Sequence, residues 1–154
     1  MKRRFPVTLL LIVCIVLLTH CSPNDTVMPL NTMHAKVDLA SFSSDGNDVT
    51  VAFPTNPVDT TKTELVITGT TGNPNNLTFL LIQIFDFNKT NGTGIYVFDS
   101  THATGLYSPG SGTEDFFVNG SVVITTSGNT IAGTFNATTQ SGVKVTSGDF
   151  SVQP

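Results

Sequence analysis

The sequence predicts an all-β domain, on three observations. Beyond residue 20 the chain is rich in Thr, Ser, Asn, Gly, Val, Ile and Phe and poor in Glu, Lys, Leu and Ala, which is the composition of strands and turns. Apolar and polar residues alternate over several short runs, as they do in half-buried strands. No segment of this region has the 3.6-residue apolar period of an amphipathic helix. The predicted class is an antiparallel β-sandwich of about eight or nine strands.

Three strands are predicted in the first part of this region. Residues 33–38 alternate apolar and polar side chains. The second strand, 49–53, follows Asp45-Gly46-Asn47-Asp48, whose residues favour an ordinary hairpin turn over a site for a hard cation. The third strand, 64–70, leads into a turn at 72–76 that is rich in Gly, Asn and Pro.

Residues 77–85 have apolar side chains on both faces of the predicted strand. A strand of this kind lies in the middle of a sheet, so we expect a second layer on each side, or a loop, to cover it. A polar connection and two shorter strands come next, followed by a Gly-rich loop. Their ranges are 88–94 for the connection, 95–98 and 103–107 for the strands, and 108–115 for the loop.

The C-terminal third predicts an antiparallel meander. Its strands are 122–125, 130–138 and 143–152, and its turns are 127–129 and 140–142. In the last strand the alternation changes phase at Ser147-Gly148, which predicts a β-bulge there. Phe150 and Val152 then continue on the same face as Val145.

Residues 33–154 are enough for one domain with its own core. The strand at 77–85 favours a sandwich, because a closed barrel more often alternates cleanly in every strand. A calycin-like β-barrel is the alternative fold.

The N-terminus has the pattern of a secretory signal peptide, residues 1–20. A basic head, Lys2-Arg3-Arg4, precedes an apolar run at 7–18. That run is shorter than the ~20 residues that a membrane-spanning helix needs. The prediction is export.

Residues Leu18-Thr19-His20-Cys21 resemble the lipobox of bacterial lipoproteins. The resemblance implies that the Cys21 thiol receives diacylglycerol and that the chain is cut just before it. His20 departs from the pattern, in which a small residue precedes the cysteine. The only other cysteine, Cys14, lies within the predicted signal, so Cys21 would otherwise be an unpaired thiol in an oxidising compartment.

Residues 21–32 contain two prolines and predict a tether between the lipid and the domain. Fully extended, they would span up to ~36 Å. Without residues 1–20 the chain keeps four lysines against eleven acidic residues, a net charge of −7. This charge argues against nucleic acid as a partner and against electrostatic binding to anionic lipid. Membrane attachment is therefore predicted to come from the lipid on Cys21.

Five segments share one strand and turn pattern: Met33-x-Ala35-x-Val37-Asp38, Ile67-x-Gly69, Gly120-Ser121-Val122-x-Ile124-Thr125, Ile131-x-Gly133-Thr134-Phe135 and Gly148-x-Phe150-x-Val152. Together they resemble a family of small bacterial envelope lipoproteins. The resemblance covers about residues 33–152 and implies a fold and an envelope location, but no activity. One departure is Leu39, where that family has Gly after Val-Asp.

No catalytic, cofactor or metal site is predicted. His34 and His102 lack neighbours at metal-ligand spacing and are expected to be solvated surface residues. Residues 86–97 superficially resemble an EF-hand loop, but the glycine falls one place late and Val97 stands where the bidentate Glu belongs. A cleft joining Asp99, His102 and Glu114 would instead favour an enzyme.

The sequence therefore predicts a lipid-anchored, non-enzymatic β-domain of the bacterial cell envelope, at the outer membrane, with a glycan or an envelope protein as its partner. The alternative is a β-barrel that carries a small hydrophobic ligand. The aromatic residues near the middle of the chain are expected to fill the core rather than to form a glycan platform. They are Tyr96, Phe98, Tyr107, Phe116 and Phe117.

Overall fold

The computed structural model describes residues 31–55, 62–110 and 112–154. These residues form ten β-strands and one short 3₁₀ turn, Gly46–Asp48. Within these three ranges, no helix is long and apolar enough to cross a membrane. The strands are β1 Thr32–Val37, β2 Ala40–Asp45, β3 Val49–Ala52, β4 Leu65–Asn73, β5 Asn76–Ile84, β6 Gly94–Val97, β7 Ala103–Ser108, β8 Asp115–Thr126, β9 Ile131–Thr139 and β10 Lys144–Val152.

The strands form two antiparallel layers that share β8. The first layer has the order β2-β1-β10-β9-β8-β6, and the second has the order β3-β4-β5-β7 followed by the start of β8. The all-β prediction is confirmed, and so is the C-terminal meander of β8, β9 and β10. The described ranges hold ten strands, against about eight or nine expected.

The two layers nearly close into a barrel. On one side β8 crosses between them: Phe116 pairs with β7, whereas Ser121 to Ile124 pair with β6. Gly120, at a φ of 116°, lies between these two parts of β8, in a conformation that only glycine adopts readily. On the other side β2 continues through the 3₁₀ turn into β3, and the Thr70 N–H donates to Ser44 Oγ at 3.0 Å.

The core lies between the two layers and contains side chains from every long strand. The bulge predicted at Ser147-Gly148 is confirmed, because the pairing of β10 with β9 shifts between Val145 and Gly148. It brings Gly148 under the ring of Phe135. The most fully buried large side chains are Met33, Leu65, Ile67, Leu80, Ile82, Ile84 and Ile131.

β2 is not predicted from the sequence, and the turn that follows it differs from the prediction. β2 reads Ala-Ser-Phe-Ser-Ser-Asp, with Phe42 as its one large apolar residue, so the pattern resembles a loop. The hairpin interpretation of Asp45 to Asp48 is wrong, because β2 and β3 do not pair with each other; β2 pairs with β1, and β3 with β4. β8 also begins earlier than expected, at Asp115.

The strand predicted at 77–85 is β5, and it lies between β4 and β7 as expected. Its inner residues, including Ile82, are fully buried. Its outer residues Phe79 and Leu81 are half-buried, and Leu77 is 44% exposed. In the described residues no second layer of strands covers this outer side. The prediction of a covering layer is therefore confirmed for the inner side of β5 and not for its outer side.

Candidate functional site

The sandwich has two ends. We call the end at Asn31 the proximal end and the opposite end the distal end. At the proximal end Asn31 accepts hydrogen bonds from the Gly46 N–H and the Gln153 N–H and donates to the Val49 carbonyl. The predicted tether would enter the domain here. The register of the strands brings four connections together at the opposite, distal end. They join β1 to β2, β4 to β5, β7 to β8 and β9 to β10.

The distal end presents Leu39 at the tip of the β1–β2 turn. Its side chain is 98% exposed. Asp38, at a φ of 54°, fixes the turn: its N–H donates to the Lys144 carbonyl at 2.6 Å, and its Oδ1 accepts from the Lys144 N–H at 2.9 Å. The apolar side chain therefore projects from a backbone that β10 holds in place.

A pocket of about 170 Å³ lies beside this turn, at the distal opening between the layers. Tyr107 forms part of its wall, and burial together with the negative charge of Asp38 raises the pKa of the Tyr107 phenol. The phenol is therefore neutral at physiological pH. The other lining residues are Val37, Ala40, Ser41, Phe42, Thr71 and Thr78.

His34 lies on the outer face of the first layer between two carboxylates. Its Nδ1 is 3.1 Å from Asp149 Oδ1, and its Nε2 is 3.1 Å from Asp45 Oδ1. A carboxylate only accepts hydrogen bonds, so both ring nitrogens must carry protons to satisfy both contacts. The outward position agrees with the sequence analysis, but the two acids were missed because they lie 11 and 115 residues away in the sequence.

We expect the pKa of His34 to lie above 6.5. Desolvation alone would lower it, but the hydrogen bonds and negative charges of Asp149 and Asp45 outweigh that effect. The pair of contacts then stabilises the fold below pH 6.5, and this contribution is lost as the pH rises through the raised pKa. An NMR titration of the His34 ring measures the shift. Asp45→Asn and Asp149→Asn should each bring the pKa down, and a wild-type pKa at or below 6.5 would contradict the expectation.

His102 and Asp99 form a pair at the proximal end of β7. His102 Nδ1 is 2.7 Å from Asp99 Oδ2. The backbone N–H and the side chain of His102, followed by the backbone N–H of Thr101, lower the pKa of Asp99 to about 2. Glu114 lies beyond the other end of β7, next to the Asp115 that pairs with Tyr107. The structure therefore does not assemble a cleft from Asp99, His102 and Glu114.

The polar groups of the loop after β5 bond to one another and to Lys62. Asn88 Oδ1 accepts from the N–H groups of Thr90 and Asn91, and Asp86 accepts from Lys62 Nζ at 2.7 Å. A groove of about 380 Å³ runs along this loop and is lined by Lys62 and residues 86–90, among others. In the part of the chain that the structure describes, no group of three or more His, Cys, Asp or Glu side chains is arranged to hold a metal ion.

Most of the aromatic residues occupy the core, as expected. Phe98 and Phe117 are buried and meet edge to face, with ring centroids 5.1 Å apart. Tyr96 and Tyr107 are half-buried and pack against the same core. Phe116 is the exception, because it points outward from β8 and is 44% exposed.

Cys21, the predicted site of lipid attachment, lies outside the described residues. No family model, curated protein or solved structure matches the chain.

Proposed function

We propose that this chain is a lipid-anchored protein of the bacterial outer membrane, and that its β-domain is a non-enzymatic module that binds another envelope protein. The lipid is carried by Cys21, ten residues before Asn31. The observation that supports the module is the position of Leu39. It projects, 98% exposed, from the end of the domain opposite Asn31.

The distal end has the properties of a binding surface. Covering the Leu39 side chain would contribute about 2 kcal/mol to binding. Because Lys144 fixes the turn through Asp38, little conformational entropy is lost when a partner covers it. The neighbouring pocket, with Tyr107 in its wall, offers a place for one apolar side chain of the partner.

A protein partner suits this end better than a glycan. Glycan surfaces rely on exposed aromatic rings, whose faces stack on sugars. Here the projecting side chain is aliphatic, and Tyr107 is half-buried in the wall of the pocket. The alternative function, transport of a small hydrophobic ligand, draws support from the same pocket. Its volume of about 170 Å³ is below the ~300 Å³ at which ligand pockets usually begin, so we favour the protein module.

The lipid anchor is tested by the mass of the native protein from a bacterial host. The expected product starts at Cys21 and is heavier than its amino acids by the mass of its acyl chains. Cys21→Ser should carry no added mass, whereas the matched variant Cys14→Ser should be processed like the wild type. A native product that weighs only what its amino acids weigh overturns the anchor.

The binding surface is tested in detergent extracts of the same bacterial host, by cross-linking followed by capture of the full chain. Leu39→Asp should lose a captured envelope protein that the wild type retains. Thr134→Asp makes the same kind of change on the outer face of the first layer and serves as the control. Equal capture by both variants and the wild type would overturn the role of the distal end.

A further inference from the structure

Charged side chains point outward from β1, β2 and β10 of the first layer, but not from the strands of the second layer. On the first layer, Lys36, His34 and Asp45 point outward, together with Lys144 and Asp149 from β10. On the second layer, the outward positions of β3, β4, β5, β7 and the start of β8 carry no charged side chain within these strands. We call this surface the uncharged face; its residues are Thr50, Ala52, Val66, Thr68, Thr70, Gly72, Leu77, Phe79, Leu81, Gln83, Thr104, Leu106, Ser108 and Phe116.

The centre of the uncharged face is apolar. Leu81 of β5 pairs with Leu106 of β7, and Leu106 pairs with Phe116 of β8, so three large side chains form one row across three strands. Thr68 and Thr50 extend the row to β3. Leu81 and Leu106 are half-buried, and Phe116 is 44% exposed. A contiguous apolar row of this kind on a sheet face indicates an interaction surface.

Among the residues that the structure describes, the charged groups nearest to the uncharged face lie at its margins. Glu64 precedes β4 at the proximal margin, but it is 7% exposed and its carboxylate accepts a hydrogen bond from Gln83. Lys62, which precedes Glu64 in the chain, forms an ion pair with Asp86, which follows β5. Beside β3, the Asp48 carbonyl of the 3₁₀ turn accepts a hydrogen bond from Thr70 Oγ1 and adds a polar group to the margin. An apolar centre with a polar rim is the usual anatomy of a protein interface.

We propose that the uncharged face is covered by the same face of a second copy of this chain. The region beyond residue 20 has a net charge of −7, so two copies repel each other over most of their surface. On the uncharged face two copies can meet without placing like charges together, because no charged side chain points outward from its strands. A two-fold arrangement would set the Leu81–Leu106–Phe116 row of one copy against that of the other, with the sheets ~10 Å apart.

The size of the face fits a weak dimer. Five strands ~4.8 Å apart, over a height of ~22 Å, give a footprint of ~500 Å² on each copy. The total of ~1,000 Å² is at the lower limit for a specific interface. Association is therefore concentration-dependent, and attachment of both copies to one membrane would favour it by raising their local concentration. The face itself does not depend on the lipid.

The test places one cysteine on the uncharged face of the full chain in isolated envelopes. Facing sheets are too far apart for most direct disulfides, so the probe is a short bifunctional maleimide. Leu81→Cys should cross-link to a product of twice the protomer mass. Thr68→Cys, one strand away, provides a second position that perturbs packing less. Thr134→Cys, on the first layer, is the matched control, and the wild type measures any reaction of Cys21 itself.

A charge introduced into the face should abolish the product. Leu106→Glu, combined with Leu81→Cys, buries one carboxylate from each copy and should weaken association by about 100-fold or more. Thr134→Glu should leave the cross-linking of Leu81→Cys unchanged. The proposal is overturned if Leu81→Cys and Thr68→Cys react no more than Thr134→Cys, or if their product has the mass of a different partner. Because the readout does not use Leu39 or the mass of the lipid, its failure leaves the proposed function standing.

Discussion

Ile82→Ala is expected to lower the free energy of unfolding by about 3 kcal/mol. Ile82 is fully buried in the middle of β5, where it faces Ile67 of β4 and Gly105 of β7. Truncation removes three carbon atoms from the core, and the surrounding strands cannot move together enough to fill the cavity because backbone hydrogen bonds fix their spacing. Urea unfolding followed by circular dichroism measures the loss.

The neighbouring residue provides the control. Leu81 has the same side-chain volume but points outward and is half-buried. At low protein concentration, where two copies do not associate, Leu81→Ala should cost less than about 1 kcal/mol. Equal losses for the two variants would contradict the difference in burial between Ile82 and Leu81.

The second large effect concerns Gly148, which lies against the ring of Phe135. An added Cβ at Gly148 would be 2.7 Å from three carbons of that ring, closer than real side chains approach. The ring in turn packs near Phe150, with centroids 6.3 Å apart. It therefore has little room to move, and Gly148→Ala should cost about 2–3 kcal/mol.

A double-mutant cycle separates this crowding from a backbone effect. Phe135→Leu removes the ring and should cost about 1–2 kcal/mol on its own. Adding Gly148→Ala to Phe135→Leu should cost much less than in the wild type, because the added methyl group then has space. Additive losses would show that the ring is not the obstacle. Thermal and urea unfolding of the four proteins measure the cycle.

The fold class could be predicted because it depends on local patterns. Alternation in β9 and β10 and glycine-containing turns specified the meander, and a change of phase located the bulge at Ser147-Gly148. β2 could not be predicted, because its pairing depends on β1 and its Ser44 is buried by a contact with Thr70, 26 residues away. Alternation also cannot show that β2 and β3 belong to different layers.

The candidate surfaces were less accessible to sequence reasoning. The acidic partners of His34 could not be predicted from the residues around it, because strand pairing brings in Asp149 from 115 residues away. In the sequence, Leu39 stands out only because the family that the chain resembles has glycine at this position. The apolar outer side of β5 was visible as a two-faced strand, but which neighbours complete the row, Leu106 and Phe116, follows only from the order β5-β7-β8.

The pairing of β1 with β10 has a consequence for the order of events during synthesis. His34 and Asp149 become neighbours although 115 residues separate them, so β1 has its second pairing partner only when the last strand has emerged. High contact order of this kind makes the search for the native state slow. A newly made chain therefore cannot complete the first layer until residues 144–152 have emerged, and until then β1 can pair along one edge only, with β2.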